Sequence, residues 1–174
     1  MRSLISGVLI LLVCGCATKP LISVDRNPNA DLRTFKTFGF SEHPGIDPSG
    51  YSSIMTARLR AATRTKLEGM GYTYDLGAPQ LKVNFLLNVA NRQEIRSTPG
   101  ALRTPRLGSS IETIEYKAGI LAIYLVDSST NSVVWQAMAE GRIARADVEQ
   151  PGPAVDRVVA EMLQRLPRDA TPHG

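Results

Sequence analysis

The feature that most constrains this 174-residue chain is an uncharged apolar run, Leu4–Val13, that follows Arg2 and stops at Cys14-Gly15-Cys16. Crossing some 30 Å of hydrocarbon takes about 20 apolar residues, so the run is too short for a spanning helix. A basic start, a short apolar stretch and small residues after it are the pattern of a secretory signal peptide, which is set aside in reasoning about the fold. Residues 1–15 are therefore expected to be removed.

The junction Val13-Cys14-Gly15-Cys16 resembles the bacterial lipobox, with an aliphatic residue at −3, a small residue at −1 and then cysteine. Gly15 precedes Cys16, whereas branched Val13 precedes Cys14, so Cys16 is the expected lipidation site. Several acyl chains on one cysteine hold a protein far better than one, since each buried CH₂ adds about 0.8 kcal/mol. This accounts for both cysteines of the chain: one leaves and one is acylated. The domain must then fold without disulfides or cysteine metal ligands. Ala17 follows Cys16, and by resemblance to the enterobacterial sorting rule the lack of Asp there points to the periplasmic side of the outer membrane. Residues 16–20 form a tether spanning about 15 Å beyond the cysteine.

Residues 21–167 read as a single domain and 168–174 as a polar tail. At 43% hydrophobic residues the chain has the apolar content of a globular domain. Leu21–Asp25 alternates as a strand, and Phe35–Phe40 is a second. Ser41–Gly50 carries two prolines and two glycines and reads as a loop. Met55, Leu59, Ala62, Thr63, Leu67 and Met70 recur at helical spacing within Ser52–Met70, with Gly69 and Gly71 as stop signals. Tyr72–Tyr74 is a short strand, and Leu81 to Val89 alternates through a longer one. Asn91–Tyr116 reads as a long loop. Gly119–Asp127 and Val133–Ile143 flank Ser-Ser-Thr-Asn-Ser as an antiparallel hairpin. After a break at Pro151-Gly152-Pro153, Val155, Val158, Val159, Met162, Leu163 and Leu166 mark a second helix. The expected class is α+β: a largely antiparallel sheet of about five to six strands with two helices packed on one face.

With the elements placed, most of the chain resembles a family of bacterial envelope lipoproteins, domain of unknown function 4136. The resemblance rests on Val24, Asp25, Pro28, Ala30 and Asp31, then Phe35-Lys36-Thr37-Phe38. It continues through Leu67…Gly71-Tyr72, Pro79-Gln80-Leu81-Lys82-Val83, the hairpin positions Gly119, Leu121, Leu125, Asp127, Thr130 and Val134-Trp135, and Val155…Leu166-Pro167. The chain departs from the pattern at Leu32, Phe40, Gln80, Tyr124 and Ala137. The family brings an address and a fold but no established activity.

Residues that could do chemistry are sparse. There are two histidines, His43 in a loop and His173 in the tail, and neither sits by a nucleophile motif. With no usable cysteine, zinc ligands are lacking. Glu112, Glu115 and Asp127 could serve glycoside hydrolysis. The simpler reading makes the glutamates loop charges and Asp127 the opener of the hairpin turn. Asp25, Asn27, Asn29 and Asp31 invite a calcium loop, but Asx-turn caps explain them better. Trp135 reads as core filling. The expectation is no enzyme, no cofactor and no metal.

Basic residues cluster at Arg58, Arg60, Arg64 and Lys66 on the first helix and at Arg92, Arg96, Arg103 and Arg106 in the long loop. The arginines are the candidate interaction surface, for another envelope protein or an anionic polymer, since each basic side chain near an anionic surface contributes about 1 kcal/mol. Nucleic acid is not expected, because aromatic interleaving is absent. The sequence therefore points to a lipid-anchored docking or assembly module. The alternatives are a small binder of lipid or another apolar ligand, held between helices and sheet, and a cell-wall hydrolase.

Overall fold

The computed structural model describes residues 19–42, 53–98 and 110–167. The cleavage junction with Cys16, the loop carrying His43, Arg103, Arg106 and the tail with His173 lie outside the described residues.

The strands are β1 (Leu21–Arg26), β2 (Thr37–Phe40), β3 (Thr73–Tyr74), β4 (Leu81–Thr98), β5 (Ser110–Asp127) and β6 (Ser132–Arg142). The helices are α1 (Ile54–Gly69), α2 (Arg145–Glu149) and α3 (Pro151–Leu163). A 3₁₀ turn at Leu32–Thr34 separates β1 from β2. One sheet runs in the order β1-β6-β5-β4-β2-β3. The class is α+β, as the sequence implies, but two features of that reading need correction.

The sheet is mixed. β2 pairs in parallel with β3 on one side and with β4 on the other. A strand followed by a 16-residue helix and then its neighbouring strand is a crossover unit, and a crossover delivers its second strand parallel to the first. Among the described residues there are also three helices, not two. The helix α2 is one short turn, and Pro151-Gly152-Pro153, expected to break the chain, instead starts α3 with Pro at its first position. Proline fits there because its fixed φ suits a helix and the first N–H needs no partner.

The first helix begins and ends on local chemistry. The Ser53 hydroxyl accepts the Thr56 N–H at 3.0 Å, which satisfies a donor the helix leaves open. At the other end Gly71 takes φ +90°. Gly71 N–H then donates to Glu68 O at 2.9 Å and Tyr72 N–H to Leu67 O at 3.1 Å. This is the two-bond ending that glycine permits at low cost.

Period-2 alternation places Leu81, Val83 and Phe85 of β4 on the same side as Leu121, Ile123 and Leu125 of β5 and Trp135, Ala137 and Ala139 of β6. These side chains are buried with Leu59 and Leu67 of α1 and Val159, Met162 and Leu163 of α3. Trp135 is fully buried, so it fills the core as the sequence suggests. The space between the helices and the sheet is occupied by side chains.

The candidate docking arm

The described residues of the segment 91–116, expected to be a long loop, are strand: 91–98 in β4 and 110–116 in β5. The β4–β5 ladder runs without a break from Leu81↔Asp127 to Thr98↔Ser110. The neighbouring ladder of β6 on β5 ends at Ala118↔Arg142. Residues 91–98 and 110–117 therefore continue past the sheet as a two-stranded ribbon, about 27 Å long at 3.4 Å per residue.

Polar side chains on the ribbon hold one another. Glu94 accepts from Arg96 at 2.9 Å and from Arg142 at the end of β6. The Arg142 guanidinium also lies 3.8 Å from the centre of the Tyr116 ring, an attractive cation–π placement. The Arg96 hydrogen bond, followed by that of Arg142, holds the Glu94 carboxyl below its ordinary pKa despite some desolvation. Gln93 donates to Glu115 at 2.9 Å. Arg92 is exposed and has no ion pair among the described residues.

Of the nominated arginines among the described residues, the structure puts Arg92 and Arg96 on this ribbon and Arg58, Arg60 and Arg64 on α1. Arg60 and Arg64 lie on α1 over an aromatic group formed by Phe38, Phe40, Tyr74 and Phe85. Arg60 sits 5.6 Å from the Phe40 ring centre and donates to Ser41 O at 2.9 Å. Arg64 sits 4.3 Å from the Tyr74 ring and pairs with Glu68 at 2.9 Å. Arg58 is half-buried on the same helix. The helix arginines and the ribbon arginines do not form one patch through any described contact.

The three carboxylates weighed for hydrolysis are not brought together. Glu112 and Glu115 point to opposite faces of β5, and Asp127 lies twelve residues farther along the same strand, about 40 Å away at 3.4 Å per residue. Paired glycosidase carboxyls stand about 5–9.5 Å apart. Asp127 instead accepts the Ser129 N–H at 2.8 Å and both the Ser129 and Thr130 hydroxyls. These bonds, the Ser129 hydroxyl first, lower its pKa. It opens the hairpin turn, which Asn131 completes at φ 52°.

The polar loop after β1 is likewise spent on local caps. Asp25 accepts the Arg26 N–H, Asn27 the Asn29 N–H and Asp31 the Arg33 N–H. Arg33 also binds the Asp31 carboxylate through Nε and a terminal nitrogen, both at 2.8 Å. A surface hollow of about 290 Å³ lies here, lined by Arg26, Pro28, Asp31, Arg33 and Pro167 among others. No helix among the described residues is long and apolar enough to cross a membrane.

Sequence reasoning missed the ribbon, because its signal is weak. Asn91-Arg92-Gln93-Glu94-Ile95-Arg96 has polar residues on both faces, so no alternation of apolar and polar marks it as strand.

The fold recurs in solved structures. A PDZ domain protein from Parabacteroides distasonis superposes with a TM-score of 0.56 at 16% identity, over 87% of this chain and 37% of that one, so the chain spans little more than a third of that longer protein. A DUF4136 family protein from Bacteroides thetaiotaomicron gives a TM-score of 0.53 at 13% identity, over 87% of this chain and 98% of that one. No curated protein matches the chain in sequence. Residues 22–168 match the family described as Domain of unknown function (DUF4136), and the chain belongs to that family.

Proposed function

We propose that this chain is a lipid-anchored envelope protein at the periplasmic face of the outer membrane, and that its β4–β5 ribbon docks another envelope component without chemistry of its own. The observation that carries the docking role is the ribbon itself. A paired strand extension that covers no part of the core adds little to folding and presents backbone and charge to a partner.

The anchor rests on the lipobox-like junction and on geometry. Cys16 stands five residues before Leu21, and Leu21 is already paired with Glu140 in the sheet. Five residues span at most about 18 Å. A bilayer holding Cys16 therefore has the β1 edge of the domain close to its surface.

Shortening the ribbon tests the docking role. Residues 93–115 are replaced by Asn-Gly, which joins the hydrogen-bonded pair Arg92 and Tyr116 in a tight turn. The expected result is an unchanged far-ultraviolet spectrum and loss of the partner that crosslinks to the intact protein in cells. Retention of that partner refutes the reading. Palmitate labelling that is abolished by Cys16→Ser supports the anchor, and labelling that survives it refutes the assignment.

A further inference from the structure

We infer that the partner of the ribbon is a second copy of this chain, joined by antiparallel pairing of the two β4 edges about Gln93. This rests on the docking role proposed for the ribbon and names its occupant.

Among the described residues the outer edge of β4 is open along most of its length. β2 covers it only at Leu81–Val83, and from Asn84 onward no described strand lies beside it. The phase of its hydrogen bonds can be read from its start. Val83 O turns away from β5 to accept the Ser41 N–H at 3.0 Å. Phe85 N–H turns the same way, to the Asn84 side chain at 2.9 Å, while Gln80 O faces β5 and accepts from Ser128 at 2.9 Å. The β4–β5 register is constant to Thr98, so the odd-numbered residues, Asn91, Gln93 and Ile95 among them, send N–H and C=O outward. An unpaired row of this kind is a template for another strand.

Charge selects the occupant and the register. A strand adding here must put its own outward residues opposite Asn91, Gln93 and Ile95. When the added strand is the β4 of a second copy with Gln93 opposite Gln93, each Arg92 faces Glu94 of the partner subunit. Both cross-strand pairs are then attractive. Sliding by one step either way puts Arg92 on Arg92, or Glu94 on Glu94 with Arg92 on Arg96, which is repulsive. Sliding two steps so that Ile95 faces Ile95 pairs Glu94 with Arg96, a pair already made within the chain at 2.9 Å, and leaves Arg92 without a carboxylate. The Gln93-centred register gives the exposed Arg92 an ion pair. It also uses the side of the sheet opposite β1, so anchoring and pairing do not compete for one edge.

Single cysteines in the full-length protein test this in envelope membranes under mild oxidation. Opposed residues in a hydrogen-bonded antiparallel pair have Cα atoms about 5.5 Å apart, within disulfide reach. Gln93→Cys is expected to give a disulfide-linked dimer. Asn91→Cys and Ile95→Cys are expected to give none, since each meets its own copy about 13 Å or more away. Adding Arg92→Glu to Gln93→Cys should lower the dimer yield about fivefold. Dimer at Ile95→Cys in place of Gln93→Cys overturns the pairing. A benzophenone attached to the thiol of the Gln93→Cys variant that captures only a different protein overturns the second copy and leaves ribbon docking standing. Absence of any adduct overturns both.

Discussion

Gln80, just before β4, and Thr37, at the start of β2, hold each other. The Gln80 N–H donates to the Thr37 hydroxyl at 3.0 Å, and the Thr37 N–H donates to the Gln80 side-chain oxygen at 3.2 Å. The same oxygen accepts the Lys36 N–H. One amide thus fastens the entry of β2 to the entry of β4, at the point where the sheet changes from antiparallel to parallel. Gln80→Ala removes an acceptor from two backbone donors and is expected to cost about 1–3 kcal/mol. The urea midpoint should fall with its slope unchanged; an unchanged midpoint would refute the role.

Two glycines should respond to alanine with opposite sign. A Cβ on Gly39 would stand 2.8 Å from Asp75 O and 2.8 Å from Pro79 Cγ, so Gly39→Ala must displace backbone, at a cost of about 1–3 kcal/mol. A Cβ on Gly69, at the last position of α1, meets nothing within 4 Å beyond its chain neighbours. Gly69→Ala should stabilise by roughly 0.5–1 kcal/mol, since alanine suits a helix and restricts the unfolded chain. Thermal midpoints of the two variants, falling and rising respectively, are the check.

The Asp31 carboxyl is held at about 2, against an ordinary 3.8, chiefly by the Arg33 side chain and then by its N–H. A depressed pKa means that the ionised form favours the fold. The contribution is complete above the unfolded value, shrinks as pH falls from about 4 toward 2, and is gone below both. Carboxyl ¹³C titration should place Asp31 near 2, and Arg33→Ala should raise it toward its ordinary value. Both groups are exposed, so the titration is a better readout than stability. An Asp31 midpoint that stays put in Arg33→Ala would refute the cause.

Trp135 is the one tryptophan of the chain and is 0% exposed. Its indole emission should be blue-shifted when folded and move red on unfolding. Trp135→Ala should cost about 3–5 kcal/mol through the cavity it leaves. The indole N–H has no partner among the described residues, so Trp135→Phe gives up an unsatisfied donor along with packing. It should be the milder change by denaturant titration. Equal losses in the two variants would mean that the indole group itself matters.

The parts of the fold legible in the sequence are those where one face is buried. The stripe Val155, Val159, Met162 and Leu163 predicts α3, and Leu121, Ile123 and Leu125 predict the strand that carries them, because burial imposes a period on composition. Polar side chains that cap their own backbone are also legible; Asp31 and Asp127 act as their positions suggest. The parallel pairing of β2 is harder to see, since Thr37–Phe40 shows which residues point inward but not which strand lies alongside. Five residues at Arg145–Glu149 are too few to display a helical period. The ribbon is hidden for a related reason: with water on both faces, Arg92, Gln93 and Glu94 carry no record of which side they occupy. The local sequence likewise does not show that Arg60 and Arg64 lie over Phe40 and Tyr74, because those rings arrive from β2 and β3.

The manner in which β1 joins the sheet has a mechanical consequence. Pro20 enters beside Gly141, where a Cβ would stand 3.2 Å from Pro20 Cα, and β1 then lies antiparallel on β6 through six residue pairs, from Leu21↔Glu140 to Arg26↔Trp135. A pull transmitted through Lys19 and Pro20 in line with β1 runs across hydrogen bonds that stand perpendicular to the strand. Those bonds are loaded in shear, several together, and not peeled one at a time. Under such a load the domain resists as a block at the end where β1 begins.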